Sequence, residues 1–250
     1  MARPRSAFYD TIEYIGPRPQ KPKKPNIFGG WVILVIAAGI GFWFGRPLLP
    51  FLKAAQAGTS LDDANLVISS LEDSQNPGDR LAAAALASCA TPVAYDAAYY
   101  KIDYPGGDIP SAKGKAEDLI VRCYRQLGID LQQQIHEDME ANFRLYPQLW
   151  QAPGPDPNID HRRALNLQRF FSRNGKELAV TRDAADYLPG DIVTWALPSP
   201  SGETHIGIVV PGPAGRDSHP WVVHHLNSGV KWENSLFDYQ IIGHFRYPSE

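Results

Sequence analysis

The bulk of this chain lacks a basic surplus: residues 54–250 carry 16 basic and 25 acidic side chains, about −9, within a formal net charge of −3 for the whole. That balance makes the main segment a poor partner for nucleic acid, which needs clustered Lys and Arg. At 250 residues the chain also lacks the length for two full domains, and fits one well-cored domain plus appendages. Cysteine is scarce, with two in all, Cys89 and Cys123. A bond between them is open to a protein outside the cytoplasm, but spacing cannot establish it, and each reads most simply as a small buried hydrophobe. No His/Cys/Asp/Glu set falls at metal-ligand spacing, so neither a metal nor another cofactor is expected. The neighbours His224 and His225 do not alter this, because adjacent strand residues point to opposite faces.

A second absence concerns charge along the chain. From Pro25 to Gly45 there is none, and the run from Phe28 to Phe44 is apolar throughout; about 20 such residues cross a bilayer. Trp31 near one end, with Trp43 and Arg46 at the other, suits interfacial anchoring, and the six basic residues ahead of the run place the N-terminus in the cytoplasm. A cleaved signal peptide, with Ala55-Gln56-Ala57 as its processing site, competes with this reading. Its basic region would be too long, and its apolar core would exceed the usual length of about 7–15 residues. The expected organisation is a basic, Pro-rich tail over 1–24, a transmembrane helix over 25–46, a linker with two helices over 47–90, and a folded domain over 91–250. The expected location is the inner membrane, with the domain outside the cytoplasm.

What remains reads as helices followed by strands. Leu61–Asp73 and Asp79–Ala90 predict two helices joined by a turn at Asn76-Pro-Gly, the second rich in Ala. Lys115–Leu127 predicts an amphipathic helix closed by Gly128, and Asp130–Phe143 and Leu165–Arg173 predict two more. Segments 191–197, 205–210, 221–225 and 241–247 are short apolar runs between Gly/Pro/Ser turns and predict a meander. Helices first and antiparallel strands after them make an α+β domain, with helices on one side of a curved sheet.

Over roughly Thr91–Tyr247 the chain resembles the NlpC-type, papain-like cysteine amidases, in a bacterial envelope branch labelled a domain of unknown function. The resemblance rests on ordered motifs, among them Tyr95-Asp96, Tyr104-Pro-Gly-Gly-Asp108, His136-Glu-Asp-Met139, Asn158-Ile-Asp160-His161-Arg-Arg163, Pro189-Gly-Asp-Ile-Val-Thr-Trp195, His205-Ile-Gly-Ile-Val209 and Gly243-His-Phe-Arg-Tyr247. It implies a cysteine opening the first core helix, a histidine base opening a core strand, and a polar residue on the next strand that orients the base. A helix N-terminus favours a thiolate, the histidine takes the thiol proton, and the third group fixes the ring's tautomer. His205 holds the base position and His224 the orienting one.

At the nucleophile position the pattern departs. Gly114-Lys-Ala-Glu-Asp118 stands where the branch has Gly-x-Cys-x-Asp, so Ala116 replaces the thiol, and Lys115 and Glu117 replace small or uncharged residues. Changes at several neighbours fit natural decay better than one engineered substitution. Cys123 lies seven residues further along the helix, about 10 Å at 1.5 Å per residue, too far to act with His205. Tyr95, Asp108, Asp118, His136, Asp160, His161 and Trp195 carry over as pocket positions, with the ordering of loops as their competing role. The implied function is a membrane-held pseudoenzyme binding a membrane-protein partner or complex, the alternatives being a peptidoglycan-peptide sensor or an active amidase.

This organisation predicts a mature protein that keeps its apolar helix, with residues 54–250 open to added protease while the inner membrane is still intact; degradation only after the inner membrane is breached would refute it. A mature N-terminus near Gly58 would show cleavage instead.

Overall fold

The computed structural model describes residues 34–38, 61–150, 152–198, 202–213, 219–226 and 228–248. The expected tail over 1–24, most of the 25–46 span and the linker up to residue 60 lie outside the described residues. The chain divides into two units at Leu48/Leu49. In the first, residues 34–38 are helical, with Leu34, Val35 and Ile36 exposed. No helix among the described residues is long and apolar enough to cross a membrane.

The second unit is a mixed helix-and-sheet fold. Five helices are described: α1 (Leu61–Leu71), α2 (Pro77–Ser88), α3 (Ala116–Gln126), α4 (Leu131–Asn142) and α5 (Ala164–Asn174). Asn76-Pro-Gly is not a free turn between α1 and α2. The Asn76 side chain accepts the Gly78 N–H at 2.8 Å, so Asn76 caps α2 and Pro77 occupies its first position, where a missing N–H costs nothing. At the start of α3 the Asp118 carboxylate accepts the Lys115 N–H at 2.9 Å, and past its end Gly128 turns the chain at φ 80°. Asp130 then caps α4 by accepting from Gln132 N at 3.1 Å.

Strands β1 (Ala94–Tyr95) and β2 (Lys113–Gly114) form a short parallel pair. The main sheet comprises β3 (Lys176–Glu177), β4 (Ile192–Ala196), β5 (Thr204–Val210), β6 (Trp221–Leu226), β7 (Gly229–Glu233) and β8 (Gln240–Arg246), in the order β3-β8-β4-β5-β6-β7. The expected meander holds from β4 to β7 only, because β8 returns to pair with β4 on the other side. The strand β7 was not anticipated; Lys231 and Glu233 interrupt its apolar content. Alternation along the strands sends Ile192, Ile206, Ile208 and Val223 into a core shared with α2, α3 and α5. Val193, Trp195, Val209 and Val222 join a smaller core on the opposite face, closed by Tyr187 and Leu236. Leu81, Ala82, Ala85 and Leu86 of α2 belong to the helix-side core, so this helix is built into the domain it precedes.

One ion pair ties the helical layer to the loops ahead of it. Arg162, fully buried, donates to both Asp118 oxygens at 2.7 and 3.1 Å and to the Ala98 and Asp96 carbonyls at 2.7 and 3.3 Å. Arg162→Met leaves the Asp118 charge buried without its partner and should cost about 3–5 kcal/mol. The double variant Asp118→Leu/Arg162→Met should lose less than the single one in urea denaturation; additive losses would refute the coupling.

Candidate functional site

β5 begins at Thr204, β6 ends at Leu226 and β7 ends at Glu233, and their pairing sets three polar side chains on one face of the sheet. Trp195 opposes His205, Gly207 opposes His224 and Val222 opposes Glu233. Residues directly opposite share a face, so Trp195, His205, His224 and Glu233 all lie on the side away from the helices. His205 Nε2 is 2.9 Å from His224 Nδ1, and His224 Nε2 is 2.8 Å from Glu233 Oε1. All three side chains are buried.

The direction of this chain follows from hydrogen-bond chemistry. A carboxylate oxygen accepts, so His224 Nε2 carries a hydrogen. With His224 neutral, its Nδ1 is a lone pair, and the contact to His205 Nε2 requires the hydrogen there. His205 Nδ1 is left unprotonated, the form a general base presents. Burial, followed by the neighbouring His224 and His225, holds His205 well below the usual histidine range. The Trp195 indole stacks on His205 with centroids 5.7 Å apart, and is itself held by donation from Nε1 to the Leu236 carbonyl at 2.9 Å. Glu233, which fixes the tautomers, escaped the sequence reading. Its signal was the Gly229 turn followed by alternating Val230 and Trp232, a two-residue period over a very short strand.

Ala116 is the first residue of α3, buried in the helix-side core, and α3 packs against β5 and β6, the strands bearing the two histidines. Its neighbours are engaged elsewhere. Glu117 accepts from Lys115 Nζ and from Ala164 N, each at 3.0 Å, and so braces α3 against α5. Asp118 is taken by Arg162 and by the Lys115 N–H. Neither carboxylate is poised to activate water. Burial pushes the Cys89 and Cys123 thiols each up to about 12, which leaves them un-ionised at neutral pH. His225 faces away from His224, with Nε2 3.0 Å from the Val93 carbonyl and its ring 6.1 Å from Tyr95.

Other expected pocket residues form separate clusters. Asp108 accepts from Arg122 Nε at 2.8 Å and steadies the loop before β2. His136 Nδ1 lies 3.0 Å from Asp160, whose carboxylate also accepts the Asp156 N–H at 2.8 Å. Tyr95 is 43% exposed and reachable from solvent. His161 is buried with Nδ1 unpaired. The contacts of Asp108, His136 and Asp160 tie loops to helices.

Burial takes His161 from 6.5 down to about 4. Between those values the unfolded chain binds the proton and the folded chain does not. The corresponding stability is therefore complete above pH 6.5 and declines as pH falls toward 4. His161→Gln should flatten the acid limb of a denaturation series by roughly 3 kcal/mol at pH 4; an unchanged slope would refute the assignment.

Comparison with known proteins follows the same segment. The family described as a domain of unknown function, DUF1287, matches residues 82–247. Uncharacterized protein YijF of Escherichia coli (strain K12) is 45% identical over 153 residues, covering 61% of this chain and 73% of YijF. The structures of NlpC1 and NlpC2 from Trichomonas vaginalis give TM-scores of 0.40 and 0.41, each at 18% identity, over 70% and 71% of this chain. This chain spans 45% and 50% of those two proteins. The family match starts within α2, ends one residue past β8, and contains Ala116 together with the whole His205–His224–Glu233 relay: the chain belongs to the DUF1287 family.

Proposed function

We propose that this protein is a catalytically inactive amidase-fold subunit, anchored in the inner membrane by the 25–46 segment, whose domain outside the cytoplasm acts as a scaffold or accessory part of an envelope complex. The observation that carries the reading is the methyl group of Ala116 at the head of α3. A cysteine amidase needs a thiolate there, and both thiols of this chain are held un-ionised at other positions. Confinement to a membrane would raise the effective concentration of any neighbouring membrane protein. A second reading, a peptide-binding sensor, is supported by the relay itself: a buried His–His–Glu chain with a lone pair left on His205 could still receive an N–H from a peptidoglycan stem peptide.

Hydrolysis of stem peptides by the purified protein tests the first element. Turnover should not exceed a blank, and turnover that vanishes in His205→Ala would overturn the reading. Ala116→Cys should restore little, because Lys115 and Glu117 are locked into an ion pair beside it. Cross-linking in native membranes should recover a heteromeric partner; free monomer together with tight muropeptide binding would favour the sensor.

A further inference from the structure

At the other end of the sheet, the edge strand β3 meets β8 with Lys176 directly opposite Arg246. Two like charges facing each other across an antiparallel pair are destabilising unless something lies between them. Both residues line one cavity of about 360 Å³, with Pro77, Leu188 and Tyr247 as its apolar walls. That volume falls in the range of small-molecule sites. Part of its wall is backbone brought into close contact, since a Cβ on Gly190, at φ 83°, would come within 2.2 Å of the Gly78 carbonyl oxygen.

The local anion cannot offset both cations. Asp191, fully buried, receives Arg246 Nε at 2.7 Å, Arg246 Nη2 at 2.9 Å, His244 Nε2 at 2.8 Å and the Leu188 N–H at 2.9 Å. Burial alone would raise its carboxyl, but the bonds from His244 and Arg246 outweigh that and keep it below the usual range. Its oxygens are filled by these four donors, and Lys176 makes no ion pair among the described residues. The cavity therefore presents an ammonium with no countercharge beside a guanidinium anchored in place, over an apolar floor.

We propose that this cavity binds a small carboxylate with an apolar body, of amino-acid to dipeptide size, its carboxylate seated between Lys176 and Arg246. The site is separate from the histidine relay. Ile192 pairs with Phe245 beside the cavity while Trp195 pairs with His205, which sets the two apart by roughly 10 Å along β4 and then across to the next strand. The assignment stands whether or not the domain is an enzyme.

Calorimetric titration of the full chain in detergent tests it with N-acetylleucine, its uncharged analogue N-acetylleucinamide, and inorganic phosphate. N-acetylleucine should bind in the millimolar range and the amide should not. Lys176→Met should weaken N-acetylleucine binding by about tenfold or more, as expected for loss of a charge-assisted contact. Because Lys176 is exposed, that variant should fold, and relief of the cation pair should leave its unfolding midpoint equal or higher. His205→Ala should bind as the parent does. Equal binding of acid and amide, phosphate binding as tightly as N-acetylleucine, binding unchanged in Lys176→Met or lost in His205→Ala, or no binding at millimolar concentration would each overturn the proposal.

Discussion

The buried pair of Arg162 and Asp118 is the constraint on which the front of the molecule depends. A guanidinium sealed from water needs its donors filled, and here they reach a carboxylate on α3 and two carbonyls in the loop 96–98. Its own position comes from the 3₁₀ turn Asp160–Arg162. Three segments distant in sequence are thereby held in one place, and the first turn of α3, where Ala116 sits, is fixed by the same contact. Arg122 and Arg125 extend the arrangement along the helix. They donate to carbonyls at Ile109, Pro110 and Gly107, and so order a loop with little regular structure of its own.

The sheet contributes a different kind of order. Its pleat separates two neighbouring histidines, turning His224 toward Glu233 and His205 while His225 reaches the Val93 carbonyl. A single carboxylate at the end of β7 then determines which nitrogen of each ring carries its hydrogen. His205 Nδ1 is thereby left as a lone pair, while the residue at the head of α3 is Ala116. Trp195 packs with the apolar strand residues on this face, whereas the buried Glu233 is held by its bond from His224.

Much of this was legible in the sequence, for identifiable reasons. The amphipathic period of Leu119, Ile120 and Cys123 located α3, and the apolar runs at 205–210 and 221–225 located the central strands. His205 and His224 were brought together as expected of adjacent strands. What stayed hidden depended on distance along the chain or on short elements. Arg162 finds Asp118 across 44 positions, and no local pattern marks such a pair. Glu233 sits on a strand of five residues with two charges, and the return of β8 to β4 is a matter of topology that strand composition does not encode. Residues carried over as pocket positions, Asp108, His136 and Asp160, turned out to bond with loop and helix partners.

The close backbone contact between Gly78 and Gly190 bears on where the folding unit begins. The family resemblance starts at residue 82, inside α2, and the sequence reading placed the domain boundary at 91. A fragment cut at either point removes Gly78 and the Asn76 cap, and the later cut removes the whole helix. Leu81 and Leu86, both wholly or almost wholly buried, would be among the losses at 91. The core of this domain therefore begins ahead of residue 82, with Leu81 and the capped first turn of α2 as part of it.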